Sequence, residues 1–204
     1  MSLRSELGLA RRSFGSLSPR IALFLVRARL RAKRTGDQFS VDASVRPEKL
    51  STLLRHAKGR RHIVELGTGT AWATIALALD DPQRRIVSYD PFERDRERYL
   101  SLVPAAVRDR ITLIAEPGEV GPADGTAPVD LLFIDSSHLR EPTVAEYTAW
   151  LPAMTPGGVI IFDDYGHHAW PGVAEAVTEL GVQGTVEADL FVAPVAGAAA
   201  APRG

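Results

Sequence analysis

Short apolar runs recur along the chain at residues 63–66, 85–89, 111–114, 129–134 and 159–162. All but 111–114 are followed or preceded directly by glycine, proline or aspartate, and each reads as a buried strand. Between them the apolar positions shift to helical spacing. Helices are predicted over 19–34, 47–58, 72–80, 93–102, 142–151 and 171–180, with Pro19, Pro47, Pro142 and Pro171 placed at or near their starts. Residues 36–44 read as a loop, and residues 117–128 as an irregular Gly/Pro-rich connection. Two short strands within 182–195 form a closing hairpin, and 197–204 is a low-complexity tail expected to be disordered.

Strands alternating with helices predict an α/β fold, a doubly wound and mostly parallel sheet with an antiparallel C-terminal hairpin. Such sheets bind ligands outside the carboxyl ends of their strands. Four of the five parallel strands end on or beside an acid: Glu65, Asp90, Asp135 and Asp163. If the strands align, those acids share one edge.

The stretch from Ile63 to Ile75 places Gly67 and Gly69 between the first strand and the following helix. Glycines there let backbone approach a ligand closely, and free N–H groups at the helix start offer hydrogen bonds. A dinucleotide turn wants a third glycine where Trp72 stands, and Trp72 is far too large for that role. What remains is Glu65-x-Gly67-x-Gly69-x-Ala71, which resembles motif I of the class I S-adenosylmethionine-dependent methyltransferases. Ala71 replaces that motif's third glycine, a departure that a slightly wider turn could absorb. The resemblance implies a Rossmann-like fold in which Glu65, Gly67, Thr68 and Gly69 hold the methionine end of the cofactor. Asp90, about 20 residues past the loop, stands where an acid accepts hydrogen bonds from ribose hydroxyls.

The carboxyl edge carries further chemistry. With the fourth and fifth strands adjacent, Asp135, Asp163 and Asp164 crowd together, and like-charge repulsion would raise at least one of their pKa values. A hard divalent cation relieves that repulsion, and oxygen-only ligands suit Mg²⁺ or Ca²⁺. The run Phe133-Ile134-Asp135-Ser136-Ser137-His138, with Pro156 through Asp163-Asp164-Tyr165, is similar to the metal-dependent small-molecule O-methyltransferases of the catechol and the macrocin or mycinamicin type. That resemblance covers residues 60–180. It implies Mg²⁺ held by Asp135, Asp163 and Asp164, Asp135 also touching the cofactor, and His138 as the base that takes the acceptor's proton. The common Asp-Gly-Asp variant reads Asp135-Ser136-Ser137 here, so one acid is missing.

Composition narrows the partners. There is no cysteine among the 204 residues, so disulfides and thiolate metal sites are excluded. The net charge of -1 hides an asymmetry: residues 1–34 carry nine Arg or Lys against Glu6, which leaves the remainder strongly acidic. An acidic body argues against nucleic acid as substrate. The domain plan expected is a basic helical segment over 1–35, a methyltransferase domain over 36–196, and the tail. The six-residue apolar run at 21–26 is too short to span a membrane, and a cytoplasmic location is expected. For 19–34, a helix docked on the domain is favoured over a mobile arm. Contact with an anionic membrane surface through those residues stays open, as does a homo-oligomer. The function expected is Mg²⁺-assisted methyl transfer from S-adenosylmethionine to a hydroxyl of a small molecule. A non-catalytic adenosylmethionine-binding or membrane-peripheral protein, and an NAD-dependent oxidoreductase, are the alternatives.

Overall fold

A computed structural model of the chain describes residues 17–196. The tail and residues 1–16 of the basic segment lie outside the described residues. Within them the helices are α1 (Pro19–Thr35), α2 (Gln38–Asp42), α3 (Pro47–Ala57), α4 (Trp72–Asp80), α5 (Glu97–Leu100), α6 (Ala105–Arg108), α7 (Arg140–Trp150) and α8 (Pro171–Glu179). The strands are β1 (His62–Leu66), β2 (Arg85–Tyr89), β3 (Ile111–Ile114), β4 (Val129–Ile134), β5 (Met154–Phe162), β6 (Thr185–Glu187) and β7 (Leu190–Pro194).

The seven strands form one sheet in the order β3-β2-β1-β4-β5-β7-β6. The first five are parallel, and β7 runs antiparallel to both β5 and β6. Successive side chains on a strand point to opposite faces, and the cores follow that alternation. Ile63, Leu131, Phe133, Val159 and Ile161 pack on one face with α1, α3 and α4. Val64, Leu66, Leu132, Ile134, Ile160 and Phe162 pack on the other with α7 and α8. The result is a three-layer sandwich, the doubly wound architecture the pattern predicts.

The helix α1 is docked. Ile21, Phe24, Leu25, Ala28 and Ala32 are buried in the same cluster as β1 and α4, while Arg20, Arg27, Arg31 and Arg34 face outward. The described part of the basic segment therefore shares the core of the rest of the chain.

Other boundaries differ from the sequence reading for identifiable reasons. The expected loop at 36–44 contains α2, because Asp37 caps it by accepting from the Ser40 backbone N–H at 3.0 Å. The expected helix at 93–102 shrinks to α5. Asp90 accepts from the Phe92 N–H, and Arg96 reaches back to the Gly69 carbonyl, so the residues before Glu97 are held as wall and not as helix. The strand β5 begins at Met154 and not at 159, with a register shift against β4 where Pro156-Gly157-Gly158 bulges.

At the amino edge of the sheet two arginines fasten the connections. The fully buried Arg84 donates to the carbonyls of Leu77 and Ala57 at 2.7 Å each and to Arg60 at 3.2 Å. Arg110 donates to the carbonyls of Ala78, Asp81 and Arg84. Helix carbonyls that would otherwise lack partners are satisfied by these guanidinium groups.

Candidate active site

The parallel register sets the site. Leu66 lies opposite Tyr89 and Ile134, and Ile134 lies opposite Phe162. The hydrogen bonding continues one residue past each strand: Asp135 N–H donates to Leu66 O at 2.8 Å, Asp163 N–H to Ile134 O at 2.9 Å, and Asp90 N–H to Ile114 O at 3.0 Å. Asp90, Asp135 and Asp163 thus stand level on the carboxyl edge. A cavity of about 800 Å³ opens above them. Its wall includes all of the residues the sequence reading put forward: Glu65, Gly67, Thr68, Gly69, Asp90, Asp135, His138, Asp163 and Asp164.

On one side lies the glycine turn. Gly67 has φ +100°, and a Cβ there would fall 1.9 Å from the Asp135 carbonyl oxygen, so β1 and β4 close up only around glycine. Ala71 takes a left-handed conformation itself, φ 69° and ψ 22°, as it starts α4. The missing third glycine is therefore accommodated by backbone strain at Ala71 and not by a wider turn. Asp90 braces the turn: its Oδ2 accepts from the Gly69 N–H at 2.8 Å and pairs with Arg96 at 3.0 Å.

Glu65 sits behind the turn, 1% exposed, and its Oε2 accepts from Ser88 Oγ at 2.6 Å and from Thr74 Oγ1. Burial pushes its pKa up to about 7 despite those two donors. Thr68 Oγ1 lies 2.7 Å from Ser88 Oγ and joins the same network. Glu146 of α7, fully buried, accepts from Ser136 Oγ at 2.7 Å and is likewise raised by burial to about 7. After the third strand, Pro117, Gly118 and Glu119 border the cavity, and Glu116 does not.

On the other side lie the acids. Asp135 is held well above the usual carboxylate range, first by burial and then by the charge of Asp163 beside it. Its side chain keeps 27% of its surface, and it lines the cavity beside His138 and Asp163. His138, at φ 57°, sets Nε2 3.8 Å from Asp135 Oδ1 and 3.6 Å from Asp164 Oδ2. Burial lowers the His138 pKa in spite of the facing carboxylates, which favours the neutral imidazole. Trp170 packs its ring 5.4 Å from that of His138.

Lys49 was not singled out by the sequence reading. It rises from α3, 6% exposed, and its Nζ lies 2.8 and 3.0 Å from the two oxygens of Asp163 and 2.5 Å from Asp164 Oδ1. The Asp163 Oδ1 contact is a close ion pair without a hydrogen bond, Oδ2 of the same carboxylate being the atom that accepts from Lys49. Its signal was there: residues 49, 53 and 57 fall on the buried stripe of α3, where a lysine is out of place unless paired. The positive charge demanded by Asp163 and Asp164, and expected from Mg²⁺, is met by this ammonium. While Lys49 stands there, the pair does not fit a divalent ion. Asp135, His138 and Asp163 do offer ligand atoms within 4.8 Å of one another, but Asp163 is the residue Lys49 already holds.

A glycine turn at the first strand, an acid at the end of the second and polar groups beyond the fourth and fifth define a class I methyltransferase. Residues 64–165, half of the chain, match the profile of the methyltransferase domain family, and the chain belongs to that family. The match decides against an oxidoreductase. Solved structures agree in fold. The O-methyltransferase TomG of Streptomyces achromogenes, in complex with SAM, is 22% identical with a TM-score of 0.61, covering 86% of this chain and 90% of its own. The TDP-rhamnose 3'-O-methyltransferase CalS11 of calicheamicin biosynthesis is 19% identical with a TM-score of 0.59, covering 95% and 99%. An O-methyltransferase from Bacillus cereus in complex with SAH is 23% identical with a TM-score of 0.54, covering 70% and 77%. An uncharacterized protein of Acanthamoeba polyphaga mimivirus is 36% identical over 53 residues, and the match spans about a quarter, 24%, of that protein's length.

Proposed function

We propose that this enzyme transfers the methyl group of S-adenosylmethionine to a hydroxyl oxygen of a small molecule. One observation carries the reading: the glycine turn with Asp90 and the pair His138–Asp135 open into one cavity from adjoining strand ends. In this reading Gly67, Thr68 and Gly69 cradle the methionine end, and Asp90 receives the ribose hydroxyls. Glu65 lies buried behind them. The acceptor hydroxyl sits against His138.

The chemistry asks little covalent work of the protein, because the sulfonium is already activated. The hydroxyl oxygen attacks the methyl carbon in line, the carbon–sulfur bond breaks, and its electron pair stays on sulfur as the thioether. The hydroxyl proton passes to His138 Nε2, which its burial keeps neutral and ready to accept. Asp164, 3.6 Å away and held below the usual carboxylate range by Lys49 in spite of its burial, stabilises the imidazolium that results. Positioning supplies most of the rate. Since Lys49 answers the charge of Asp163–Asp164, no step of this scheme runs on a metal.

Calorimetric titration with adenosylmethionine, adenosylhomocysteine and NAD tests the cofactor, and a screen of hydroxylated acceptors by mass gain tests the transfer. Binding of NAD with no response to adenosylhomocysteine sinks the proposal. A second surface has its own observation. The outward face of α1 combines Arg20, Arg27, Arg31 and Arg34 with Leu23 and Leu30, which are 52% and 47% exposed. That face suits an anionic lipid surface, and no helix among the described residues is long and apolar enough to cross a membrane. Salt-sensitive co-sedimentation with phosphatidylserine vesicles, lost in a variant with those four arginines changed to glutamine, checks it.

A further inference from the structure

We infer that Lys49 is the resident cation of this active site, standing where a divalent ion would stand, so that the acids take up such an ion only when Lys49 is removed. The inference uses the methyltransferase reading only to say what the site is for; the cation arrangement rests on geometry. Three carboxylate oxygens from two residues lie within 3.0 Å of one Nζ. The two contacts to Asp163 have the length of an ammonium on a carboxylate, and the one to Asp164 is shorter. An ion bridging the same oxygens at the ~2.1 Å of Mg²⁺ or the ~2.4 Å of Ca²⁺ would overlap the Nζ atom.

Displacing the lysine is not a simple side-chain swing. Its stem is 6% exposed and follows the buried stripe of α3, whose Leu50 and Leu53 are fully buried in the core. An expelled ammonium would have to give up both carboxylates, with only the solvent of the cavity in return. Lys49 also comes from an element outside the sheet, so the acid pair is tied to α3 as well as to β5. With Asp163 and Asp164 so held, Asp135 and His138 are among the polar groups of the cavity left to meet an acceptor. Lys49 is thus a positioning residue, acting through Asp163 and Asp164.

The test uses the full chain and Mn²⁺ as a paramagnetic probe. Electron paramagnetic resonance should find the wild type leaving Mn²⁺ free up to about 1 mM, while Lys49→Met, similar in length but uncharged, binds one Mn²⁺ at least ~10-fold tighter. Mn²⁺ should raise the Tm of Lys49→Met and leave that of the wild type unmoved. Should Lys49→Met not fold by itself, recovery of its circular dichroism on adding Mn²⁺ supports the inference, and no recovery overturns it. Tight uptake of one Mn²⁺ by the wild type, lost in Asp163→Asn, overturns it, and so does a folded Lys49→Met that binds no better than wild type. Adenosylhomocysteine titration of the same wild-type sample reports separately on the methyltransferase reading, which fails if no binding is seen whatever Mn²⁺ does.

Discussion

Gly67 and Gly69 both have positive φ and both face the cavity, yet alanine should be tolerated at one and not at the other. At Gly67 the new Cβ would lie 1.9 Å from the Asp135 carbonyl oxygen, 2.5 Å from its carbon and 2.9 Å from Ser136 Cα, all backbone. Ordinary contact begins at 3.4 Å, so the ends of β1 and β4 must part by about 1.5 Å. They are also stapled there by the Asp135 N–H bond to Leu66 O. Overpacking of this kind costs about 1–3 kcal/mol and the positive φ of a side-chain residue about 1–2 more. Gly67→Ala should therefore lose about 2–5 kcal/mol, a fall in Tm of about 5–20 °C at this chain length. At Gly69 the nearest atom is a Phe39 ring carbon at 3.8 Å, so only the conformational cost applies. Gly69→Ala should lose about 1–2 kcal/mol, or about 2–8 °C. Scanning calorimetry of both variants, with adenosylhomocysteine titrated afterwards into whatever remains folded, measures the difference. Equal losses, or a Gly67→Ala variant as stable as wild type, would refute the steric reasoning.

Further outcomes follow from the same structure. Removing residues 1–36 strips Ile21, Phe24 and Leu25 from the core, each worth about 1.5–3 kcal/mol of burial, against a typical total of about 5–15; circular dichroism should show an unfolded chain, and a folded one would make α1 an accessory. The raised pKa of Glu65 means the folded state holds its proton more tightly than the unfolded state, so its contribution is present below pH 4.5 and is lost as pH rises through about 7. Glu65→Gln should flatten part of that decline, Glu146 and Asp135 contributing to the rest; identical pH profiles would place Glu65 in a more polar setting than described. Asp90→Ala should weaken adenosylhomocysteine by about 1–3 kcal/mol and also lower Tm, since Gly69 and Arg96 lose a partner; unchanged affinity in calorimetry takes Asp90 out of the cofactor site. His138→Ala should depress turnover of an identified acceptor by about 10²–10⁴-fold while adenosylhomocysteine binding holds, and a turnover within a factor of two would remove it as base.

Much of the fold could be read in advance because the strands are nearly continuous apolar runs and three of the helices, α1, α3 and α8, begin at prolines. The level placement of Asp90, Asp135 and Asp163 followed from nothing more than strand ends in a parallel sheet. What escaped was whatever depends on contacts distant in sequence. Lys49 lies 114 residues from Asp163, so its pairing has no local trace except a charge on a buried stripe. The helix α2 is five residues long and owes its form to one aspartate cap, below the reach of periodicity. The shortening of α5 arises because Asp90 and Arg96 are spent on the glycine turn, a tertiary demand that overrides a helical pattern.

The two edges of the sheet are built on opposite terms. Below, Arg84 and Arg110 clamp six helix-end and loop carbonyls with guanidinium groups. Above, Ala71, His138 and Asp164 hold left-handed conformations that side-chain residues avoid. A scaffold that concentrates its security at one end leaves the other free to vary. Substitutions in the loops bearing His138 and Trp170 can reshape the acceptor pocket by drawing on slack that is already there, without loosening the anchored floor. Descendants of this chain could change substrate many times while Arg84 never changes at all.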